Sequence, residues 1–191
     1  MYYDTQRKLA FVLPPRTGST TFSELLYKWG ASNAGFLHLK PSGVQIENFN
    51  QYTIYGFFRD PLDRFLSLIR FIRDKKISPN QFYETCGMSR QEFKLMNYDQ
   101  MLDAFPKYEP LIPNFFDPQV DWLANATMLD FNNYTAEILR VARMFDVTQV
   151  NLSVNNWTES TDEAPSQRVI DFVRSRYADD YRLGRERGLL V

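Results

Sequence analysis

The chain has 191 residues, 44% hydrophobic and 16% aromatic, which is enough for one domain with a buried core. A net charge of −1 gives it no basic field for general binding to nucleic acid or a membrane surface. Cys86 is the only cysteine and His38 the only histidine, which excludes an internal disulfide, a multi-thiolate zinc site and a His-rich metal centre.

Residues 1–191 read as a single domain without repeat, low-complexity run or long linker. Met1 to Lys8 is polar and the apolar run after it ends at Leu13, so neither a signal peptide nor a spanning segment is visible. The expectation is a cytoplasmic protein with no membrane span. Residues 8–13 read as the first strand. Ser19 to about Gly30 reads as a helix with Phe22, Leu25, Leu26 and Trp29 on one face. A second strand is expected over 34–38, ending at His38, then a loop over 41–51 with one short helical turn. Aromatic and β-branched residues from Tyr52 to Phe58 make a central strand.

Asp60 followed by Pro61 is an N-cap with proline at the first helical position. Leu62, Phe65, Leu66, Ile69 and Ile72 form the buried stripe of the helix that follows. Ser67 falls on its polar side with Asp63, Arg70 and Asp74. Helices are expected over 79–85 and 89–104, then a proline-interrupted stretch. A strand over 126–131, a helix from Tyr134 to Phe145, a short strand over 149–154 and a helix from near Pro165 complete the chain. Strands alternating with helices predict an α/β fold with a mostly parallel central sheet and helices on both faces.

Two segments carry chemistry. Phe11 to Thr21 reads as a buried strand, a tight loop and a helix start. The unpaired first-turn amides and the helix dipole favour a phosphate-like anion there. The loop has no lysine after Gly18, and Arg16 stands before the glycine, so it is not the ATP/GTP loop G-x-x-x-x-G-K-[ST]. One of Thr17, Ser19, Thr20 and Thr21 is expected to cap the helix, and four hydroxyls around one glycine exceed what a cap requires. In the second segment Arg59 sits at the carboxyl edge of a strand, where ligands of open α/β sheets lie.

Together the two segments resemble the paired motifs of sulfotransferases that use 3′-phosphoadenosine 5′-phosphosulfate (PAPS). Pro15-Arg16-Thr17-Gly18-Ser19-Thr20-Thr21 is similar to their 5′-phosphosulfate loop, and Arg59-Asp60-Pro61-x-x-Arg64-Phe65-x-Ser67 to their 3′-phosphate motif. The likeness is to carbohydrate O-sulfotransferases, including the heparan sulfate 2-O-sulfotransferase type, and to small bacterial and phage relatives. It implies a three-layer P-loop-like fold and PAPS as co-substrate, with no metal. It also implies phosphosulfate contacts from Arg16, Thr17, Gly18, Ser19, Thr20 and Thr21, and 3′-phosphate contacts from Arg59 and Ser67. The implied acceptor is a hydroxyl, on a carbohydrate. Pro118-Gln119-x-x-Trp122-Leu123 resembles a further segment of this family, but Asn114-Phe115-Phe116 stands where a histidine is common.

Arg16 is suited to following negative charge onto the leaving oxygen, and since arginine does not give up its proton the role is electrostatic. His38 is the candidate base, because imidazole titrates near working pH and the 2-O-sulfotransferase type places a catalytic histidine between its two motifs. Glu24 and Asp117 are the reserve carboxylates. Arg64 reads as a structural ion-pair former and Trp122 and Trp157 as core. Asn155 and Asn156 are candidates for the cofactor mouth without an assigned role. The rival readings are a P-loop kinase or NTPase, which would need magnesium and a loop lysine, and a nucleotide-binding module without turnover.

Overall fold

The computed structural model describes residues 1–74, 79–152 and 163–191. In chain order the elements are β1 (Tyr2–Asp4), β2 (Leu9–Phe11), α1 (Ser19–Lys28), β3 (Ser32–Asn33), β4 (Thr53–Phe58), α2 (Pro61–Asp74), α3 (Pro79–Cys86), α4 (Arg90–Leu95), α5 (Tyr98–Tyr108), α6 (Val120–Leu123), β5 (Thr127–Asp130), α7 (Tyr134–Met144), α8 (Gln167–Arg176) and α9 (Ala178–Glu186). The chain divides into two units. One comprises Met1–Arg59, Gln119–Trp157 and Arg182–Val191, and the other Asp60–Pro118 and Thr158–Tyr181. Among the described residues no helix is long and apolar enough to cross a membrane.

The first unit is built on a five-stranded sheet of order β3-β1-β2-β4-β5. Strands β2, β4 and β5 are parallel, with Phe11 opposite Tyr55 and Phe57 opposite Leu129. Strand β1 is antiparallel to both β2 and β3. The sheet is therefore mixed and open, not all parallel: β1 alone runs against the other strands. The difference arises at the N-terminus, where a three-residue strand folds back on β2 as a hairpin. Asp4 holds its turn by accepting from the Arg7 backbone N–H at 2.8 Å and from the Arg7 guanidinium at 3.0 Å. So short a strand among polar residues has no visible alternation in sequence.

Neighbouring residues of the parallel strands divide between two cores, as side chains of a strand covered on both faces must. Phe11, Leu13, Phe57 and Leu129 pack with Phe22, Leu25 and Leu26 of α1 and with Ile138 and Val141 of α7. Val12 and Phe58 pack instead with Trp122 and Leu123 of α6, Met1 and Leu183. Gly56 permits the second core to close: a Cβ there would lie 2.5 Å from the Leu123 side chain and 2.8 Å from that of Val12.

The second unit is helical among its described residues and buries its own cluster, including Phe65, Ile69, Phe93, Met101, Phe105, Phe116, Val169 and Tyr177. Asp60 caps α2 as expected, its Oδ1 accepting from the N–H groups of Leu62 and Asp63 at 2.9 and 3.0 Å. The expected helix over 89–104 is two helices. Each starts in a reciprocal cap, Ser89 with Glu92 and Asn97 with Gln100. The chain also ends in two helices rather than one, divided at Tyr177. The strand expected over 149–154 is not formed at 149–152, and its remainder lies outside the described residues. Asn155, Asn156 and Trp157 lie outside them as well.

Phe22 is fully buried and meets Phe11 and Phe57 edge-on, at centroid distances of 5.7 and 5.2 Å. Phe22→Ala should therefore cost about 3–5 kcal/mol. Urea unfolding followed by circular dichroism checks this, and a midpoint near that of the unmodified protein would contradict the packing of α1 on the sheet.

Candidate functional site

The three parallel strands end on one edge of the sheet, and each delivers part of one constellation. Strand β2 runs into the loop ahead of α1, β4 into Arg59, and β5 into Asp130, Phe131 and the start of α7 at Tyr134.

The loop is shaped by its own backbone. Arg16 and Gly18 have positive φ, 65° and 75°, on either side of Thr17. Left-handed residues in such a turn are of the kind that can gather backbone N–H groups into an anion-binding concavity. Thr17 is buried and donates its hydroxyl to the Pro14 carbonyl at 2.8 Å, which closes the turn. Gly18 is the N-cap of α1, and no side chain caps the helix. The expectation of a hydroxyl cap is therefore corrected. A left-handed N-cap residue does not project a side chain to its own helix, and the first-turn amides are left to other partners. Ser19 and Thr21 are buried, whereas Arg16, Gly18 and Thr20 reach the surface in part.

Two groups hold the loop from the neighbouring strand ends. Arg59 Nη1 donates to the Arg16 carbonyl at 3.1 Å, while its guanidinium lies 4.6 Å from the Phe131 ring centroid. Arg59 is itself fixed by Gln119, a fully buried side chain that pairs with its backbone as a strand would. The Arg59 N–H donates to Gln119 Oε1 at 3.0 Å, and Gln119 Nε2 donates to the Arg59 carbonyl at 2.8 Å. The Tyr134 hydroxyl donates to the Gly18 carbonyl at 2.9 Å.

His38 does not end a strand. Strand β3 stops at Asn33, and His38 lies in the turn that follows. The Ala34 N–H still donates to the Met1 carbonyl at 3.0 Å, but no ladder continues through residues 35–38, so their backbone is satisfied differently. The Met1 amine donates to the carbonyls of Phe36 and Leu37, at 2.6 and 2.9 Å, and Trp122 Nε1 donates to the His38 carbonyl at 3.3 Å. This returns His38 to the loop by another route, with Nδ1 2.6 Å from the Leu13 carbonyl. A carbonyl only accepts, so Nδ1 carries the proton and Nε2 is the basic nitrogen of the neutral ring.

Arg16, Thr17, Gly18, Ser19, Thr20, His38 and Arg59 thus gather around one strand edge of the first unit. Ser67 belongs to the second unit and is buried, not on a polar face, because α2 is covered on more sides than its apolar stripe suggests. Arg64 is buried in the same unit and donates to the carbonyls of Asp117 and Phe115, both at 3.0 Å. Glu24 is exposed on α1, and Trp122 is buried in core. Sequence reasoning passed over the clamping roles of Gln119, Phe131 and Tyr134. The strand-edge rule that singled out Arg59 applies equally to the residues after β5.

The donor set fits a phosphate-like anion: helix-start amides and a positive-φ turn that contains Arg16 stand beside Arg59 at one strand edge. Compared with known proteins, the chain matches no family model, and no curated protein or solved structure matches it.

A Cβ on Gly18 would lie 2.4 Å from the Tyr134 ring, on a residue at φ 75°. Gly18→Ala should lose about 1–3 kcal/mol and most anion affinity. Thermal melting with and without pyrophosphate measures both. A variant that melts and binds normally would show that the loop tolerates another geometry.

Proposed function

We propose that the protein is a sulfotransferase that moves a sulfuryl group from PAPS to an acceptor hydroxyl on a carbohydrate, within a three-layer P-loop-like fold. The observation that carries the reading is the bond from Arg59 to the Arg16 carbonyl, which joins the two motifs likened to those of PAPS-dependent enzymes. The division of the sheet's residues between two cores supports the layered fold. The absence of a lysine after Gly18 weighs against a kinase or NTPase.

When bound, PAPS supplies an activated sulfuryl group whose leaving partner is a phosphate. Thr17, Gly18, Ser19, Thr20 and Thr21 belong to the loop that receives the 5′ anion. Arg59, held at the end of its strand and bonded to the Arg16 carbonyl, takes the 3′-phosphate. Arg16 contributes a fixed positive charge where negative charge develops on the leaving oxygen. His38, oriented through Nδ1, accepts the hydroxyl proton at Nε2 as the acceptor oxygen attacks.

Titration calorimetry with adenosine 3′,5′-bisphosphate and ADP tests the reading. The bisphosphate should bind more tightly, and Arg59→Ala should remove most of the difference, about one to two decades in affinity. Equal affinities in the unmodified protein would overturn the proposal. Release of adenosine 3′,5′-bisphosphate from PAPS, in the presence of oligosaccharide acceptors, tests the base. His38→Ala should slow release by about 10²–10⁴-fold and abolish the acid-side inflection of the rate profile, while bisphosphate affinity stays the same. An unchanged profile would transfer the role to Glu24 or Asp117.

A further inference from the structure

The loop ahead of α1 has two carbonyls engaged by side chains from the neighbouring strand ends. Arg59 holds that of Arg16 at 3.1 Å, and Tyr134 holds that of Gly18 at 2.9 Å. A trans peptide is planar, with its C=O and N–H on opposite sides. Fixing the Gly18 carbonyl therefore fixes the direction of the Ser19 N–H, and fixing the Arg16 carbonyl fixes that of the Thr17 N–H. The Gly18 carbonyl also takes the first helical bond, from the Phe22 N–H at 3.0 Å. The Tyr134 hydroxyl thus uses a second lone pair and is not needed to start the helix.

The ring adds a constraint of its own. It presses so closely on Gly18 that a Cβ would stand 2.4 Å from Cε2, 2.8 Å from Cζ and 2.9 Å from the hydroxyl oxygen. The ring also meets Phe57 at 4.6 Å and Phe131 at 5.5 Å, and Phe131 carries the Arg59 guanidinium. The two clamps are therefore mechanically joined through Phe131. Burial raises the phenol's pKa above its ordinary value, so the hydroxyl remains a donor at neutral pH.

We propose that Tyr134 is a positioning residue for this site: it holds the Gly18 peptide so that the Ser19 amide faces the bound anion. The inference rests on reading the loop as an anion cradle, whichever group is transferred. It also accounts for glycine at position 18 on steric grounds separate from the positive φ.

Tyr134→Phe keeps the ring and removes the clamp. Pyrophosphate and adenosine 3′,5′-bisphosphate serve as probes, by titration calorimetry and by amide ¹H–¹⁵N spectra. Both ligands should bind the variant about 3–10-fold more weakly, while its melting temperature stays close to that of the unmodified protein. In the unmodified protein the Ser19 amide should shift sharply on binding, and in the variant this shift should shrink more than those of amides outside the loop. Undiminished affinity and an undiminished Ser19 shift in Tyr134→Phe would overturn the inference while leaving the cradle standing. Failure of the unmodified protein to bind either ligand would overturn the cradle and the inference together. A fall in melting temperature with affinity unchanged would make Tyr134 a packing residue and would also overturn the proposal.

Discussion

The parallel pairing of β2 with β4 is the constraint on which the candidate site depends. Its register, Leu9 with Thr53 and Phe11 with Tyr55, continues one step further, where the Val12 N–H donates to the Tyr55 carbonyl at 2.8 Å. Two segments more than 40 residues apart in sequence are thereby made to end on the same edge, so that Arg59 reaches the Arg16 carbonyl. An antiparallel or slipped pairing would put the loop and Arg59 at opposite ends or on opposite faces. Strand β5 extends the same logic by one neighbour and brings Phe131 and Tyr134 to the other side of Arg59.

On the proposed reading, hydrogen bonding rather than net charge would prepare the loop for an anion. The chain as a whole carries a charge of −1, so attraction at this edge is local. Carbonyls that would repel an anion are turned toward Arg59 and Tyr134, and the Thr17 hydroxyl is engaged with Pro14. Preorganisation of this kind is effective because dipoles already held in place need not reorganise when charge arrives. Gln119 performs the same service one layer out. A buried amide left without partners would be costly, and here both its donor and its acceptor satisfy the backbone of Arg59.

Much of this was legible in the residues themselves. The long strand before Arg59 was marked by its aromatic and β-branched run, and the start of α2 by Asp60-Pro61. The first motif stood out because four hydroxyls around one glycine exceed what a helix cap requires. The polarity of the helix faces was less legible. Ser67 and Arg64 are polar by type but buried by context, and a stripe count sees only the apolar residues. The short strands β1 and β3 were illegible because two or three residues carry no period.

The sequence by itself determined the α/β class and the strand–loop–helix form of the two motifs, since these follow from local propensities, caps and side-chain chemistry. Tertiary structure alone decided the mixed character of the sheet, because pairing direction depends on which distant strands find each other. It also decided how His38 reaches the loop. No strand carries it there; a ring nitrogen on the Leu13 carbonyl does, while Met1 holds the carbonyls of Phe36 and Leu37 and Trp122 holds that of His38. The clamping of Gly18 by Tyr134 belongs to the same category, since 116 residues separate partners that only the parallel β2–β4–β5 order brings into contact.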